Sequence, residues 1–545
     1  MAVKTRKLTL GVLIAAGAYL AAMLMVMTRP GSALSGDQRT VIRFAHWQIE
    51  AGPREAVDAL IKRYEEIHPE VRVEHVAVPG RIYKQWLRTQ LIGGSAPDII
   101  EFGSFFGGVE DIPPRFFEPI SELVEQPNPY NRGTPLEGMR WRDTFLDGLI
   151  TADTYIENLS NFYAVTLCML STRLFYNPVL LEEISGSPDA PTTFTEVQAL
   201  SEKLARRNAT AATPISLYAG SLFNGNIIME QMISRAGIGL TMSNDRLREQ
   251  GQQARDLGVS YLRGDWSYRD PAMLSGMERM REVAQDLRPG FQQLERDAAV
   301  LEFLRGQALM IVTGTWDVTS LTSLAPFKIA AAEFPWPTMA DGAVGRYYWS
   351  PVSEGAGNTS MPLYLNRKSA HKKEAVDFLH FITSVEGNTL FFQQSGWLPS
   401  IREVVVPEEA QVYLPRFEGL PIRTSMRGGF GPETRELWLR QLHHLISAHG
   451  SVEEFMQAFE PEFSTALRRD LSLQVRNMFL TLRHETPALT ALATLDRLQH
   501  PVATRVASRQ VRESSQHITE ARLYEALAVL AREPEPAAKS EAGSP

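Results

Sequence analysis

Between Val41 and Gly103 the apolar residues switch repeatedly between two spacings, and that switching limits the fold more than any other feature of the chain. The run 41-VIRFAHW-47 is rich in β-branched and aromatic residues, as a strand is. From Pro53, a residue suited to the first turn of a helix, Val57, Leu60, Ile61, Tyr64 and Ile67 recur at helical steps and form one apolar face. The run 71-VRVEHVAV-78 alternates apolar and polar side chains over much of its length, which predicts a second strand. A helix is predicted over 81–92, ended by Gly93 and Gly94, where glycine accepts the left-handed conformation of a cap. A third short strand follows at 97-PDIIEFG-103. Strands alternating with single helices predict βαβ units, a parallel sheet and an α/β fold.

The same grammar returns later. Thr193 and Glu196 stand at capping-box spacing before the apolar face Phe194, Val197, Leu200 and Leu204. A further amphipathic helix is predicted over 369–387, and Ser451 with Glu454 opens another. Past Leu471 the pattern becomes polar-rich and helical, with breaks expected at Pro487 and Pro501. The tail 533–545, rich in Pro, Ala and Glu, has nothing to bury and is expected to be disordered. A chain of 545 residues exceeds one ordinary domain.

The net charge of −8 argues against nucleic acid as the main partner, because phosphate binding needs a basic surface. Residues 8–27 form an uncharged run of twenty, preceded by Lys4, Arg6 and Lys7. That length spans a bilayer as a helix, and the basic flank holds the N-terminus inside and the body outside. A transmembrane anchor with an extracytoplasmic body is expected, residues 1–35 being tip, anchor and linker; the alternative is a signal cleaved near 31-GSA-33. The single cysteine, Cys168, excludes an intrachain disulfide and any metal site built from several cysteines, and is expected to be a buried small hydrophobe. No His-Glu-x-x-His, Walker loop or Gly-x-Ser-x-Gly elbow is present, so neither an enzyme nor a cofactor or metal is expected. Ser369 and Lys372 fit a Ser-x-x-Lys pattern but open an amphipathic helix.

In open α/β sheets, ligands bind beyond the carboxyl ends of the strands. Trp47, Glu101 and Ser104 fall at such ends, and so does Trp316, which an apolar run 308–312 and Gly314 deliver toward the surface.

Several segments together resemble the extracytoplasmic solute-binding proteins of carbohydrate ABC importers, the group that includes maltose-binding protein. They are VIRFAHW, the helix ending in GGSAPDII, 162-FYAVTL, 173-RLFYNPVLLEEI-184, 191-PTTFTEVQALSEKL-204, 302-EFLRGQALMIVTGTWDV-318 and 371-HKKEAVDFLHFITSVEGNTLFFQQSGWLPS-400. They occur in the family's order over about residues 41 to 471, and FLRGQALMIVTGTW with SGWLPS carries most of the weight.

The resemblance implies a two-lobed periplasmic-binding-protein fold with hinge strands, and a sugar held between the lobes. By that pattern lobe one is 40–160 with 346–412 and lobe two 161–345 with 413–475, with hinge crossings near 163–167, 345–349 and 412–417. A helical extension, 476–532, and the tail 533–545 follow, with no counterpart in an ordinary member. The implied partners are a carbohydrate ligand, an ABC transporter permease and the membrane through residues 8–27, the receptor being a monomer; the alternative is an anchored carbohydrate sensor or scaffold without transport. Sugars present C–H faces beside fixed hydroxyls, which suits a rigid indole with polar neighbours. Trp316 on lobe two, and Trp47, Trp349 and Trp397 on lobe one, are the implied stacking platforms; Gln48, Glu101, Asn224 and Asp317 are the implied polar contacts. The crossing segment 163–177 lacks the carboxylate that sugar binders often carry there.

Overall fold

A computed structural model describes residues 39–49, 51–103, 112–151, 153–156, 161–246, 248, 252–354, 359–422, 424–498 and 506–532, together with Gly17 and Tyr19. Among them are the strands β1 (Thr40–His46), β2 (Val71–Ala77), β3 (Ile99–Glu101), β4 (Tyr155–Ile156), β5 (Asn161–Phe162), β6 (Ala164–Met169), β7 (Thr172–Tyr176), β8 (Ser216–Tyr218), β9 (Ala308–Gly314), β10 (Ala330–Ala332), β11 (Thr359–Leu365) and β12 (Leu398–Pro399). Two sheets dominate: six strands in the order β12-β6-β11-β3-β1-β2, and four in the order β10-β7-β9-β8.

The first βαβ units form as their periodicity predicts. The helix Ala51–Ile67 buries Val57, Leu60, Ile61 and Tyr64 against the larger sheet, while Ile67 at its end is exposed. The helix Gly80–Gly93 ends on Gly94 at φ 72°, a left-handed cap that costs glycine little. β1 pairs in parallel with β2 and β3. The expectation of a parallel sheet fails at β11, which runs antiparallel to both β3 and β6. β11 enters from the other lobe rather than by a helix over the same sheet, so nothing forces it to run parallel.

Each sheet carries its own core. Leu167, Cys168, Leu363, Phe378, Phe381 and Trp397 are buried together on the larger sheet. Leu174, Met310, Val312, Met277 and Trp438 belong to the core of the smaller one. β6 in the larger sheet is followed after Leu170 and Ser171 by β7 in the smaller, so the first crossing lies a few residues beyond 163–167. Ser171 donates to the carbonyl of Tyr413, and its own carbonyl accepts from Thr315 N at 2.9 Å. A second crossing returns the chain near Glu354, beyond Trp349, which still lies against Gly239 of the smaller-sheet lobe.

Capping chemistry sets several helix limits. Thr193 and Glu196 form the capping box that their spacing predicts, and Phe194, Val197, Leu200 and Leu204 are buried. Ser451 accepts from Glu454 N at 3.1 Å at the start of the long helix. The helix predicted over 369–387 is instead two, Lys372–Ile382 and Val385–Ser395, because Ser384 accepts from Gly387 N at 3.1 Å and starts a new helix. A Cβ at Gly387 would lie 2.2 Å from the Phe381 carbonyl, so the junction has room for glycine alone.

The C-terminal helix Val452–Arg497 runs through Pro461 and Pro487, so the break expected at Pro487 does not occur. Leu489 is buried and Leu482 packs against the paired helix Val506–Leu530, so tertiary contacts on both sides of the proline hold the helix together. Pro501 and the tail 533–545 lie outside the described residues. The run 8–27 does too, apart from Gly17 and Tyr19, and among the described residues no helix is long and apolar enough to cross a membrane.

Candidate functional site

On the larger lobe the site begins where β1 and β3 end side by side. Their parallel register pairs Phe44 with Ile99 and Ala45 with Ile100, which brings the chain beyond His46 next to Glu101. The Glu101 carboxylate is buried and accepts from Trp47 N at 3.0 Å and from Gln48 Nε2 at 2.6 Å. Tyr83 donates to the Glu101 carbonyl at 2.8 Å and lies edge-on to Trp47, with ring centroids 5.3 Å apart. Glu101 thus fixes the loop that carries the half-buried Trp47 and the 50% exposed Ile49. Ser104 lies outside the described residues. The Asp153 carboxylate stands beside Gly103, where a Cβ would lie 3.4 Å from Oδ2.

Beneath this loop runs a chain of side chains. Gln48 N donates to His46 Nδ1 at 3.2 Å, His46 Nε2 lies 2.5 Å from His75 Nε2, and His75 Nδ1 lies 2.7 Å from Asp58. The pattern sets tautomers: His46 accepts at Nδ1, so its proton is on Nε2 and points to His75, which donates in turn to Asp58. Burial, then the neighbouring His75, lowers the His46 pKa to about 3, so it is neutral at ordinary pH.

On the smaller lobe the buried strand β9 ends at Gly314, and the turn Thr315–Asp317 lays the Trp316 indole back over that glycine. A Cβ there would meet the ring at 2.1 Å. Trp316 is half-buried, with Phe223 edge-on at 6.0 Å and the Arg296 guanidinium 5.9 Å from its ring centre. It also packs against the core of the larger lobe, so it lies where the lobes meet. Among the described residues its buried Nε1 has no hydrogen-bond partner. Beside it Thr319 donates to the Ser395 carbonyl of the larger lobe at 3.3 Å.

The remaining sequence-derived candidates are engaged otherwise. Asp317 is buried, forms an ion pair with Arg296 and accepts from Thr313 Oγ1 at 2.6 Å. Asn224 is buried and donates to the Val312 carbonyl at 2.9 Å, so its amide ties a helix to β9. Trp349 is 41% exposed but lies on the smaller-sheet lobe, opposite to the assignment made from sequence. Trp397 is buried in the larger lobe's core, in the same cluster against which Trp316 packs. Two groups are therefore assembled, Trp47 with Gln48 and Glu101, and Trp316 with Asp317; Asn224 and Trp349 join neither by a direct contact. Phe223, Ile49 and Arg296 were not found from the sequence. The signal for Phe223 was available, since an aromatic two residues past the cap Ser221 has little core to reach.

Among the described residues no group of three or more His, Cys, Asp or Glu side chains is placed to hold a metal ion.

Comparison with known proteins bears on this arrangement. The family model for bacterial extracellular solute-binding proteins matches residues 50–389. An uncharacterized ABC transporter extracellular-binding protein of Pyrococcus horikoshii is 20% identical over 452 residues, covering 82% of this chain and 91% of the relative. A chitin oligosaccharide binding protein superposes with a TM-score of 0.54 at 16% identity, over 79% of this chain and 99% of its own. The GacH receptor of Streptomyces glaucescens, known unliganded and with acarbose, gives 0.54 at 17% identity, over 79% and 99%. At such identities these structures share the fold.

Proposed function

We propose that this chain, which belongs to the bacterial extracellular solute-binding protein family, binds a neutral sugar or oligosaccharide between its lobes and delivers it to an ABC transporter permease. The observation that carries the reading is the pairing of half-buried indoles with fixed polar groups at strand ends: Trp47 with Gln48 and Glu101 on one lobe, Trp316 with Arg296 and Asp317 on the other. Indoles give apolar area at low entropy cost to the C–H face of a sugar, and a held carboxylate or amide meets hydroxyls without reorganising. The sugar-binding relatives named above favour the same ligand class. In this reading the chain binds without turnover, works as a monomer on the extracytoplasmic side and is held at the membrane by residues 8–27. The two lobes of this reading exchange the chain near Ser171, Glu354 and 412–416, the first two points lying about ten residues beyond the boundaries at 160 and 345 expected from sequence.

A second reading, an anchored sensor or scaffold, is favoured by one observation: the C-terminal helices pack onto lobe two, with Arg522 of the last helix paired to Asp256 at 3.1 Å. Calorimetry with neutral oligosaccharides, followed by chromatography of the recovered sugar, tests the proposal. Stoichiometric binding with the sugar intact supports it; shortened sugar would make the protein a hydrolase instead.

A further inference from the structure

Among the described residues one face of the long helix Val452–Arg497 is filled and the opposite face is not. Leu471, Val475 and Met478 pack with Leu523, Ala526 and Val529 of the last helix. On the other side Leu473, Leu480 and Pro487 follow at seven-residue steps, with Ala491 and Leu498 continuing the line, all of them exposed. Leu480 is 50% exposed and its neighbour Phe479 52%. Single exposed apolar residues are ordinary, whereas a stripe several turns long marks a contact surface.

Arginines keep the same step beside it. Arg469, Arg476 and Arg483 are exposed, and among the described residues only Arg469 of the three has an ion-pair partner, Glu433 at 3.4 Å. From Arg469 to Arg483 the sole carboxylate is Asp470, which is buried and accepts from Thr434 Oγ1 at 2.8 Å. On a chain of net charge −8 this face is a local surplus of positive charge.

We infer that this face of the C-terminal extension docks on an anionic phospholipid surface, with Leu473 and Leu480 at the acyl boundary and Arg476 and Arg483 on lipid phosphates. An apolar stripe rimmed by guanidinium groups is the pattern of helices that lie in a membrane interface. A coiled-coil partner would want a large apolar residue at every step, but Pro487 and Thr494 occupy two of them. The anchor proposed above brings the body close to such a surface, and for that proximity alone the inference rests on it. Docking would fix which side of the receptor faces the bilayer.

The test uses the full chain reconstituted in vesicles. Because Cys168 is buried, Leu480→Cys gives a single reactive thiol, to which an environment-sensitive dye is attached. A blue shift in phosphatidylglycerol vesicles, absent in phosphatidylcholine and lost in about 1 M salt, is expected. Arg476→Glu and Arg483→Glu are each expected to weaken docking about fivefold or more, with helix content by circular dichroism unchanged. The same spectrum in both lipids overturns the inference. So does a shift that grows with protein concentration without vesicles, which would identify a second copy as the occupant. Whether the protein stays in carbonate-washed membranes reports on the anchor separately, because the dye reads only the extension.

Discussion

Arg173 and Glu354, 181 positions apart, form a two-toothed ion pair at 2.9 and 3.2 Å where the chain passes between the lobes. The guanidinium also donates to the carbonyls of Thr172, Val412 and Leu414, and Glu354 accepts from Arg416 N at 2.9 Å. One side chain thereby ties three passing segments together. All but 1% of the Arg173 side chain is buried, and burying a charge is tolerable only with such complete pairing.

Arg173→Ala is therefore predicted to lower stability by about 3 kcal/mol, because it leaves Glu354 without its counter-charge and takes a donor from the carbonyls of Thr172, Val412 and Leu414. Urea unfolding measures it. A change below about 1 kcal/mol would place the pair among ordinary surface ion pairs.

Gly314→Ala is predicted to impair sugar binding while leaving β9 intact. The backbone there is extended, at φ −83°, so alanine is acceptable to the chain, but its Cβ would meet the Trp316 ring at 2.1 Å and push the indole away. Calorimetry should show an affinity loss close to that of Trp316→Ala; wild-type affinity would mean that the position of the indole is immaterial.

Trp316→Ala is expected to cost about 1 to 3 kcal/mol of binding free energy, as loss of a buried aromatic contact does. Trp86, half-buried on its helix against the Tyr83 ring at 5.5 Å, should instead affect mainly stability when changed to Ala. Equal affinity losses in the two variants would remove the distinction.

Stability should fall on acidification partly through His46. Its pKa is about 3 in the folded state against 6.5 ordinarily, so below 6.5 the unfolded chain takes a proton that the folded chain refuses. The contribution is fully present above 6.5 and is lost as pH falls toward about 3, at up to about 1.4 kcal/mol per pH unit. His380, lowered to about 4 chiefly by burial, acts in the same direction. Asp286, raised by burial to about 6, acts oppositely, since its stability is present at low pH and lost as pH rises through that value. His46→Asn should flatten the acid limb of unfolding free energy against pH by about one proton. Parallel limbs in the variant and wild type would contradict the assignment.

Much of the fold was legible because its signals are local. Thr193, Glu196 and Gly94 act within one turn, and the faces of the first helices are written in their spacing. Long-range relations were not. The reversed direction of β11 depends on a return from the other lobe, and the continuity of the helix through Pro487 depends on packing by a helix that starts only at Val506. At the site, Trp47 and Glu101 were legible as strand ends, and Gln48 only through the family resemblance. The burial of Trp397 and Asn224 was not, because a Gly-Trp-Leu-Pro turn and a helix N-terminus look alike whether they face solvent or core. The chain from His46 through His75 to Asp58 joins three elements and leaves no mark in any one of them.

The central claim is that a neutral sugar binds between Trp47 and Trp316. Thermal unfolding of the full chain against a panel of neutral oligosaccharides, beside the Trp47→Ala/Trp316→Ala variant, tests it most directly. A ligand at about a hundred times its dissociation constant adds about 2.7 kcal/mol to the folded state, enough to raise Tm by several degrees. The account predicts such a rise with at least one oligosaccharide in the wild type and little or none in the variant; a panel without effect on the wild type, or an equal rise in both proteins, would contradict it.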